Sequence, residues 1–203
     1  MKIALLSSVL ALGLLSGACS DDDDDKNPAD QIPNQLAGLY KTDCSQNGVL
    51  GLTSTAREID LTAIGGFDRK EMYYGGDACT DAVALTYRVT GTVQSQGALP
   101  ENTQLDLINF SVSEAYITPG TDALVTTLNT TKFCGKSDWA IGQEVTIGGL
   151  DCNGFTIRKG DVIPEVYEDV DGTLYFGKKF ALLLNQTGER PTEVDMDLPY
   201  HKQ

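Results

Sequence analysis

Hydrophobic and polar residues alternate along much of this chain from about residue 36 onward. Alternation with a period of two is typical of β-strands that bury one face. It is clear in residues 57–62, and again in the next segment, where one face holds Leu85, Tyr87, Val89 and Val93. The same pattern predicts further strands at residues 36–42, 70–74, 145–147, 155–158, 162–170 and 173–176.

The longest predicted strand, residues 104–117, changes phase along its length. Its apolar positions begin on one parity and continue on the other: first Leu105 and Leu107, then Ile108, Phe110, Val112 and Tyr116. Because one extra residue moves all following side chains to the opposite face, the change predicts a bulge or sharp bend.

Turn and helix signals fit between these strands. Asp171-Gly172 separates two of them and predicts a two-residue hairpin, since both residues can adopt positive φ. A single short helix is predicted to begin near Thr118-Pro119, because Thr can cap a helix and Pro suits its first position.

Short strands separated by glycine turns predict an all-β, mainly antiparallel domain, either a barrel or a sandwich. Residues 36–40, LAGLY, resemble the opening strand of lipocalin-like proteins, in which a Gly-x-Trp element closes the base of the barrel. Tyr40 stands in the place of that Trp. The resemblance implies a lipocalin-like β-barrel with one short helix, and a β-sandwich is the alternative.

The N-terminus has the pattern of a secretory signal. Lys2 precedes an apolar run over residues 3–15, and small residues then lead to Cys19. The sequence SGAC resembles a bacterial lipobox, with Ser16 where Leu is usual. This implies a lipoprotein signal peptide over residues 1–18 and a lipid chain, including palmitate, on Cys19. Ser20 follows the cysteine, and Asp there is the usual inner-membrane retention signal, so the resemblance implies anchoring in the outer membrane.

The alternative is an ordinary secretory signal that leaves Cys19 as a free thiol. Cysteine number favours lipidation, because the chain has five cysteines and acylation of one leaves an even set of four. Export favours disulfides over a zinc site, and the paired Cys spacing of zinc sites is missing. Of the three possible pairings we predict the nearest-neighbour one, Cys44–Cys79 and Cys134–Cys152.

Residues 19–35 are predicted to be a lipidated acidic tether, because the run Asp21 to Asp25 repels itself and cannot pack. Residues 36–203 then form a single β-rich domain. The formal net charge of -14 argues against nucleic acid as a partner, since phosphate binding relies on excess Lys and Arg.

No residue pattern predicts catalysis, a cofactor or a metal. His201 is the only histidine and lies near the C-terminus, where chains usually fray. Two acidic groups could serve a carboxylate-dependent hydrolase or bind calcium, but a solvated strand edge is the favoured explanation, because neither group meets the ligand count that its chemistry requires. These are Glu165, Glu168, Asp169 and Asp171, and Glu193, Asp195 and Asp197.

The expected function is that of a non-enzymatic outer-membrane lipoprotein whose barrel holds a small apolar ligand. Four aromatic residues are candidates for contact with that ligand: Tyr87, Phe110, Tyr116 and Trp139. For Trp139 the competing interpretation is core packing against a nearby disulfide. The alternative function is an envelope interaction or structural module whose barrel is filled by its own side chains.

Overall fold

The computed structural model describes residues 33–178 and 188–203, which form nine strands and one α-helix. The signal peptide, Cys19 and the tether up to residue 32 lie outside the described residues. The helix α1 spans Asp122–Thr131. The strands are β1 Gly38–Thr42, β2 Ser54–Leu61, β3 Gly66–Tyr74, β4 Leu85–Leu99, β5 Asn102–Pro119, β6 Val145–Thr146, β7 Val162–Val170, β8 Thr173–Phe176 and β9 Tyr200–Lys202.

Eight of these strands close into an antiparallel barrel. Their order around the barrel is β1-β2-β3-β4-β5-β7-β8-β9, and β9 pairs back onto β1. The short strand β6 pairs with the last part of β5, beyond the region that β7 covers. The predicted all-β barrel is therefore confirmed.

Because neighbouring strands alternate in direction, the connections fall at two ends of the barrel. The chain enters one end of the barrel at Pro33, and the hairpins β2–β3, β4–β5 and β7–β8 turn at that same end. We call it the proximal end. The distal end carries the β1–β2, β3–β4 and β8–β9 loops. It also carries the long β5–β7 connection, which contains α1 and β6.

The predicted phase change in the long strand is confirmed, and the pairing of β4 with β5 has three irregularities. It shifts between Ala98 and Leu99, between Ser95 and Gly97, and again between Thr90 and Gly91. The last of these shifts leaves Ser113 as an extra residue on β5, because Thr90 faces Glu114 whereas Gly91 faces Val112. Each bulge rotates the following side chains, so that the strand can curl around the barrel.

Three local predictions are wrong. The helix begins later than Thr118-Pro119, because Pro119 ends β5 and the N–H of Gly120 bonds to the carbonyl of Ala84; Thr121 caps the helix instead. Residues 155–158 form no strand, because they turn back within a loop closed by bonds such as that from the Cys152 N–H to the Phe155 carbonyl. The C-terminus does not fray, since residues 200–202 form the strand that closes the barrel.

Both predicted disulfides are confirmed. Cys44–Cys79 joins the β1–β2 loop to the β3–β4 loop. Cys134–Cys152 joins the turn after α1 to the loop before β7. Both therefore stabilise the distal end, where connections are long, whereas tight hairpins close the proximal end.

The hairpin at Asp171-Gly172 also forms as predicted. Asp171 and Gly172 have φ values of 52° and 81°, and the Asp169 side chain accepts a hydrogen bond from the Gly172 N–H. A main core fills the barrel. A second, smaller cluster lies around Leu99, Leu105, Val166 and Val194, where the end of the β4–β5 hairpin packs against the wall.

Candidate functional site

Two of the four aromatic candidates, Tyr87 and Phe110, face the barrel interior. Their side chains are 0% and 2% exposed. The Phe110 ring packs edge-on against Phe67, with ring centroids 5.0 Å apart, and against Phe176 at 6.1 Å. Their surfaces are thus covered by neighbouring side chains.

Trp139 is also buried, but it belongs to the segment that covers the distal end. Its ring N–H donates to the Phe133 carbonyl at 3.3 Å, and its backbone N–H donates to the Asn129 side chain at 2.8 Å. Phe133 in turn lies beside Phe155, whose ring meets Tyr87 edge-on at 6.4 Å. This aromatic stack closes the barrel interior at the distal end, and Trp139 is part of the core next to Cys134.

Tyr116 does not join the other three. The expectation that it shares a face with Phe110 is wrong, because the bulge at Ser113 puts Ala115 and Ile117 inside instead. Tyr116 is half-buried on the outer face, with the Arg88 guanidinium 5.4 Å from its ring centroid.

A buried ion cluster lies at the centre of the barrel, and sequence reasoning missed it. Arg69 is 1% exposed and Glu71 is 0% exposed. Nη2 of Arg69 donates to Oε1 of Glu71 at 2.9 Å, and Nε of Arg57 lies 3.5 Å from the same oxygen. The hydroxyl of Tyr73 donates to the other carboxylate oxygen at 2.5 Å.

Strand register explains how these residues meet. Arg57 on β2 lies directly opposite Glu71 on β3, and Glu71 lies opposite Tyr87 on β4. Arg57 has the parity of the buried residue Ile59, and Arg69 and Glu71 have the parity of the buried residue Phe67. Charged residues at inward positions were thus a signal that the sequence already contained.

The cluster changes the chemistry of its tyrosines. Burial raises the pKa of Tyr73, and the negative charge of Glu71 raises it further. Burial and Glu71 also raise the pKa of Tyr87, and Arg69 opposes them. Both hydroxyls therefore remain protonated, and that of Tyr73 donates to Glu71.

Glu165, which the sequence placed in an acidic hairpin group, is instead 1% exposed and points inward from β7. Burial raises its pKa to about 7. Backbone N–H groups of Val166 and Gly177, which donate to its Oε1 at 2.9 and 3.1 Å, limit the rise, as do the charges of Arg69 and Arg190.

Arg190 connects the segment before β9 to the β5–β7 seam. Its Nη1 donates to the carbonyl oxygens of Ile108 and Glu165, and its Nη2 donates to Oδ1 of Asn109 at 2.5 Å. It is therefore engaged in holding backbone in place.

The other acidic candidates are exposed or half-buried. Asp169 and Asp171 are exposed at the β7–β8 hairpin, and Glu193 and Asp197 are exposed before β9. Glu168 and Asp195 are half-buried. Among residues 33–178 and 188–203, no group of three or more His, Cys, Asp and Glu is arranged to hold a metal ion.

One shallow groove of about 400 Å³ does contain two carboxylates, on the outer face of the barrel. Asp60 and Asp68 lie directly opposite each other on β2 and β3, beside Gly66 and Gly91. Both oxygens of Asp68 are bound to Arg88, with contacts of 2.7 to 3.0 Å. Asp68 therefore serves as the counterion of Arg88 and is partly exposed, whereas Asp60 is exposed.

In the described part of the chain, no helix is long and apolar enough to cross a membrane. No protein-family model matches this sequence, and no curated protein matches it at a significant level.

Proposed function

We propose that this protein is a lipid-anchored, non-enzymatic protein of the outer membrane whose filled barrel serves as a rigid module for protein interaction. The packed interior is the observation that favours an interaction module over a ligand-binding barrel. Arg69, Glu71 and Tyr87 at its centre are each at most 1% exposed to solvent. Small-molecule sites are usually clefts of roughly 300 Å³ or more, whereas these three side chains are covered by their neighbours.

The charges inside the barrel also argue against an apolar ligand. Such a molecule would lie against Glu71 and the guanidinium groups of Arg57 and Arg69. Apolar contact cannot replace hydrogen bonds to buried charged groups, so it would carry a large free-energy penalty. The ion pairs of Glu71 with Arg57 and Arg69 therefore favour a barrel filled by its own side chains.

The absence of enzyme activity is proposed from the residues that are present. Most described carboxylates are buried in ion pairs, bound to arginine, or dispersed over the surface. Glu165 is buried, and backbone N–H groups of Val166 and Gly177 donate to it. His201 is exposed on β9, where no partner for acid–base chemistry accompanies it among the described side chains.

The anchor is proposed from the lipobox resemblance at Cys19. The chain enters the barrel at the proximal end. The residues from Ser20 to Pro33 could span at most about 50 Å if fully extended.

Metabolic labelling with palmitate tests the anchor. We expect the full chain to incorporate label and to fractionate with outer membranes, and Cys19→Ala to lose both. Ser20→Asp is the matched control, expected to keep the label. Label on Cys19→Ala, or an unlabelled parent chain, would rule out the anchor.

Native mass spectrometry of the protein purified from membranes tests the filled barrel. We expect the mass of the chain with its covalent lipid and no stoichiometric noncovalent ligand, because the interior is already packed. A small apolar molecule bound one to one would instead support the ligand-binding alternative.

A further inference from the structure

The two disulfides differ in how exposed their cysteines are. Cys44 is exposed and Cys79 is half-buried, whereas Cys134 and Cys152 are 4% and 1% exposed. Thiol–disulfide exchange begins when a thiolate contacts a disulfide sulfur, so access decides which bond can react in the folded chain. The Cys44–Cys79 bond is therefore the one of the two that an external thiol can reach.

The two loops that this disulfide joins are also held together by hydrogen bonds. The Gln46 side chain donates to the Asp77 carbonyl at 2.5 Å, and the Ser54 hydroxyl donates to the Gly76 carbonyl at 2.5 Å. Strand pairing begins at the same place, with Ser54 opposite Tyr74. These contacts do not depend on the S–S bond. They keep the two cysteines close together when the bond is broken, so the bond can open and form again while the barrel stays folded.

Hydrogen-bond acceptors for both thiols are already in place. Sγ of Cys44 lies 3.6 Å from the carbonyl oxygen of Asp77, and Sγ of Cys79 lies 3.4 Å from Oγ of Ser54. A disulfide sulfur has no proton to donate, whereas a thiol is a weak donor. Only the reduced pair can use these two acceptors. The surroundings of the disulfide therefore also suit the dithiol form.

We propose that Cys44–Cys79 is a reversible thiol–disulfide exchange site whose partner is a dithiol. A thiolate of the partner attacks the exposed Sγ of Cys44 and forms a mixed disulfide with it. The bond to Cys79 breaks, and its electron pair leaves on Sγ of Cys79 as a thiolate. The Ser54 hydroxyl, 3.4 Å from that sulfur, can turn its proton to it and stabilise the charge.

The second thiolate of the partner then attacks the partner's own sulfur in the mixed disulfide. Sγ of Cys44 leaves as a thiolate, and the two protein sulfurs take up the two protons that the dithiol gave up. The protein has gained two electrons, the partner has become a disulfide, and oxidation follows the same steps in reverse. The exchange removes one covalent link at the distal end, whereas pairing of β1 with β2 and β9 is unchanged. This site does not depend on the interaction function proposed above.

Differential alkylation of the folded full chain tests the site. The protein is incubated with dithiothreitol, free thiols are blocked with iodoacetamide at intervals, and the peptides are mapped by mass. We expect Cys44 and Cys79 to be alkylated at least about tenfold faster than Cys134 and Cys152, because access limits exchange. Low concentrations of urea should not change the rate for the exposed pair. Equal rates for both pairs, or reduction only as urea unfolds the chain, would overturn the proposal.

The reduced chain should remain folded. After selective reduction we expect the far-ultraviolet circular dichroism spectrum of the oxidised protein to be retained. Oxidised dithiothreitol should then restore Cys44–Cys79. Loss of the β-sheet spectrum on reduction of this bond would mean that it is purely structural, and the exchange site would be ruled out.

A monothiol tests which sulfur is attacked. Glutathione followed by iodoacetamide should give peptides with glutathione on Cys44 and the alkyl group on Cys79, because Cys44 is the exposed partner. Glutathione found on Cys79 instead would overturn the proposed direction of attack and the role of Ser54.

Ser54→Ala tests the hydroxyl beside Cys79. It removes the donor to the departing sulfur, so reduction by dithiothreitol should slow by about threefold or more. Thr53→Val is the matched control, because the Thr53 hydroxyl donates to the Gly75 carbonyl at 3.0 Å between the same two loops. Its rate should stay within about twofold of the parent rate. Equal rates in the two variants would overturn the role of Ser54, and the alkylation of the parent chain decides the proposal even if Ser54→Ala fails to fold.

Discussion

At the scale of single residues, the unusual feature is charge where strand alternation puts apolar side chains. Arg57, Arg69 and Glu71 hold inward positions on β2 and β3. Burying charges is costly, and the cost is recovered only where geometry and additional hydrogen bonds are good. Here one carboxylate interacts with two guanidinium groups and a tyrosine hydroxyl. Removal of any one of these side chains leaves the others buried without that partner.

We therefore expect Glu71→Gln to lower the free energy of unfolding by about 3 kcal/mol, because it leaves buried guanidinium groups without their counterion. Glu58→Gln is the control, since Glu58 pairs with Lys41 on the outer face and the pair is partly exposed. It should cost less than about 1 kcal/mol. Denaturant titration at pH 7 measures both, and equal losses would contradict the buried cluster.

Glu165 predicts a dependence of stability on pH. Its pKa of about 7 in the folded chain lies above the ordinary value of 4.5, so folding favours the protonated form. Its contribution to stability is greatest below pH 4.5 and falls as the pH rises toward 7. Glu165→Gln, which cannot ionise, should gain stability relative to the parent chain by roughly 2 kcal/mol between pH 5 and pH 8.

Other carboxylates titrate in both proteins and cancel in this difference, which denaturant titration at the two pH values measures. Glu168→Gln, on the next residue of β7, provides the comparison and should show no such gain. A difference that stays constant with pH would mean that Glu165 ionises as it does in solvent.

At the scale of elements, the barrel depends on a strand of three residues. Strand β9 pairs with β1 on one side and with β8 on the other, so it closes the ring. Burial alternates along β9, since Tyr200 is 1% exposed whereas His201 faces solvent. The Tyr200 ring packs edge-on against Phe176, with centroids 5.1 Å apart.

Tyr200→Ala should therefore cost about 3–5 kcal/mol, as for other large aromatic side chains removed from a core. His201→Ala should change stability by less than about 0.5 kcal/mol, because an exposed side chain on a paired strand contributes little. Thermal or denaturant unfolding of the two variants gives the comparison. Similar small losses from both would mean that the C-terminal residues are frayed.

At the scale of the whole molecule, the two ends of the barrel are stabilised differently. Tight hairpins close the proximal end, and both disulfides lie in the long connections of the distal end. In the chain-entropy model a disulfide stabilises by restricting the unfolded chain, and more so for longer loops. The disulfides span 35 and 18 residues.

Replacing either cysteine pair by serine should lower the free energy of unfolding by about 3–4 kcal/mol, with the larger loss for Cys44–Cys79. Unfolding in denaturant without reductant measures both losses. Equal losses from both replacements would contradict a dependence on loop length.

Much of the fold was predictable because strand alternation and turn chemistry act locally. Tyr87 and Phe110 follow the alternation of their strands, and Asp171-Gly172 turns because both residues adopt positive φ. Tyr116 could not be placed this way. An inserted residue in β5 has meaning only against the register of β4, and local pattern contains no information about a partner strand.

The sequence alone indicated an all-β, mainly antiparallel domain and favoured the nearest-neighbour pairing of four cysteines, because period-two alternation, turn residues and short loop distances are properties of neighbouring positions. Tertiary structure decided what the barrel contains. Arg57, Arg69, Glu71 and Glu165 come from three strands, and only closure of the ring brings them into one space. Whether that space is empty or filled depends on the sum of side chains facing it from all strands, which no single segment of the chain specifies.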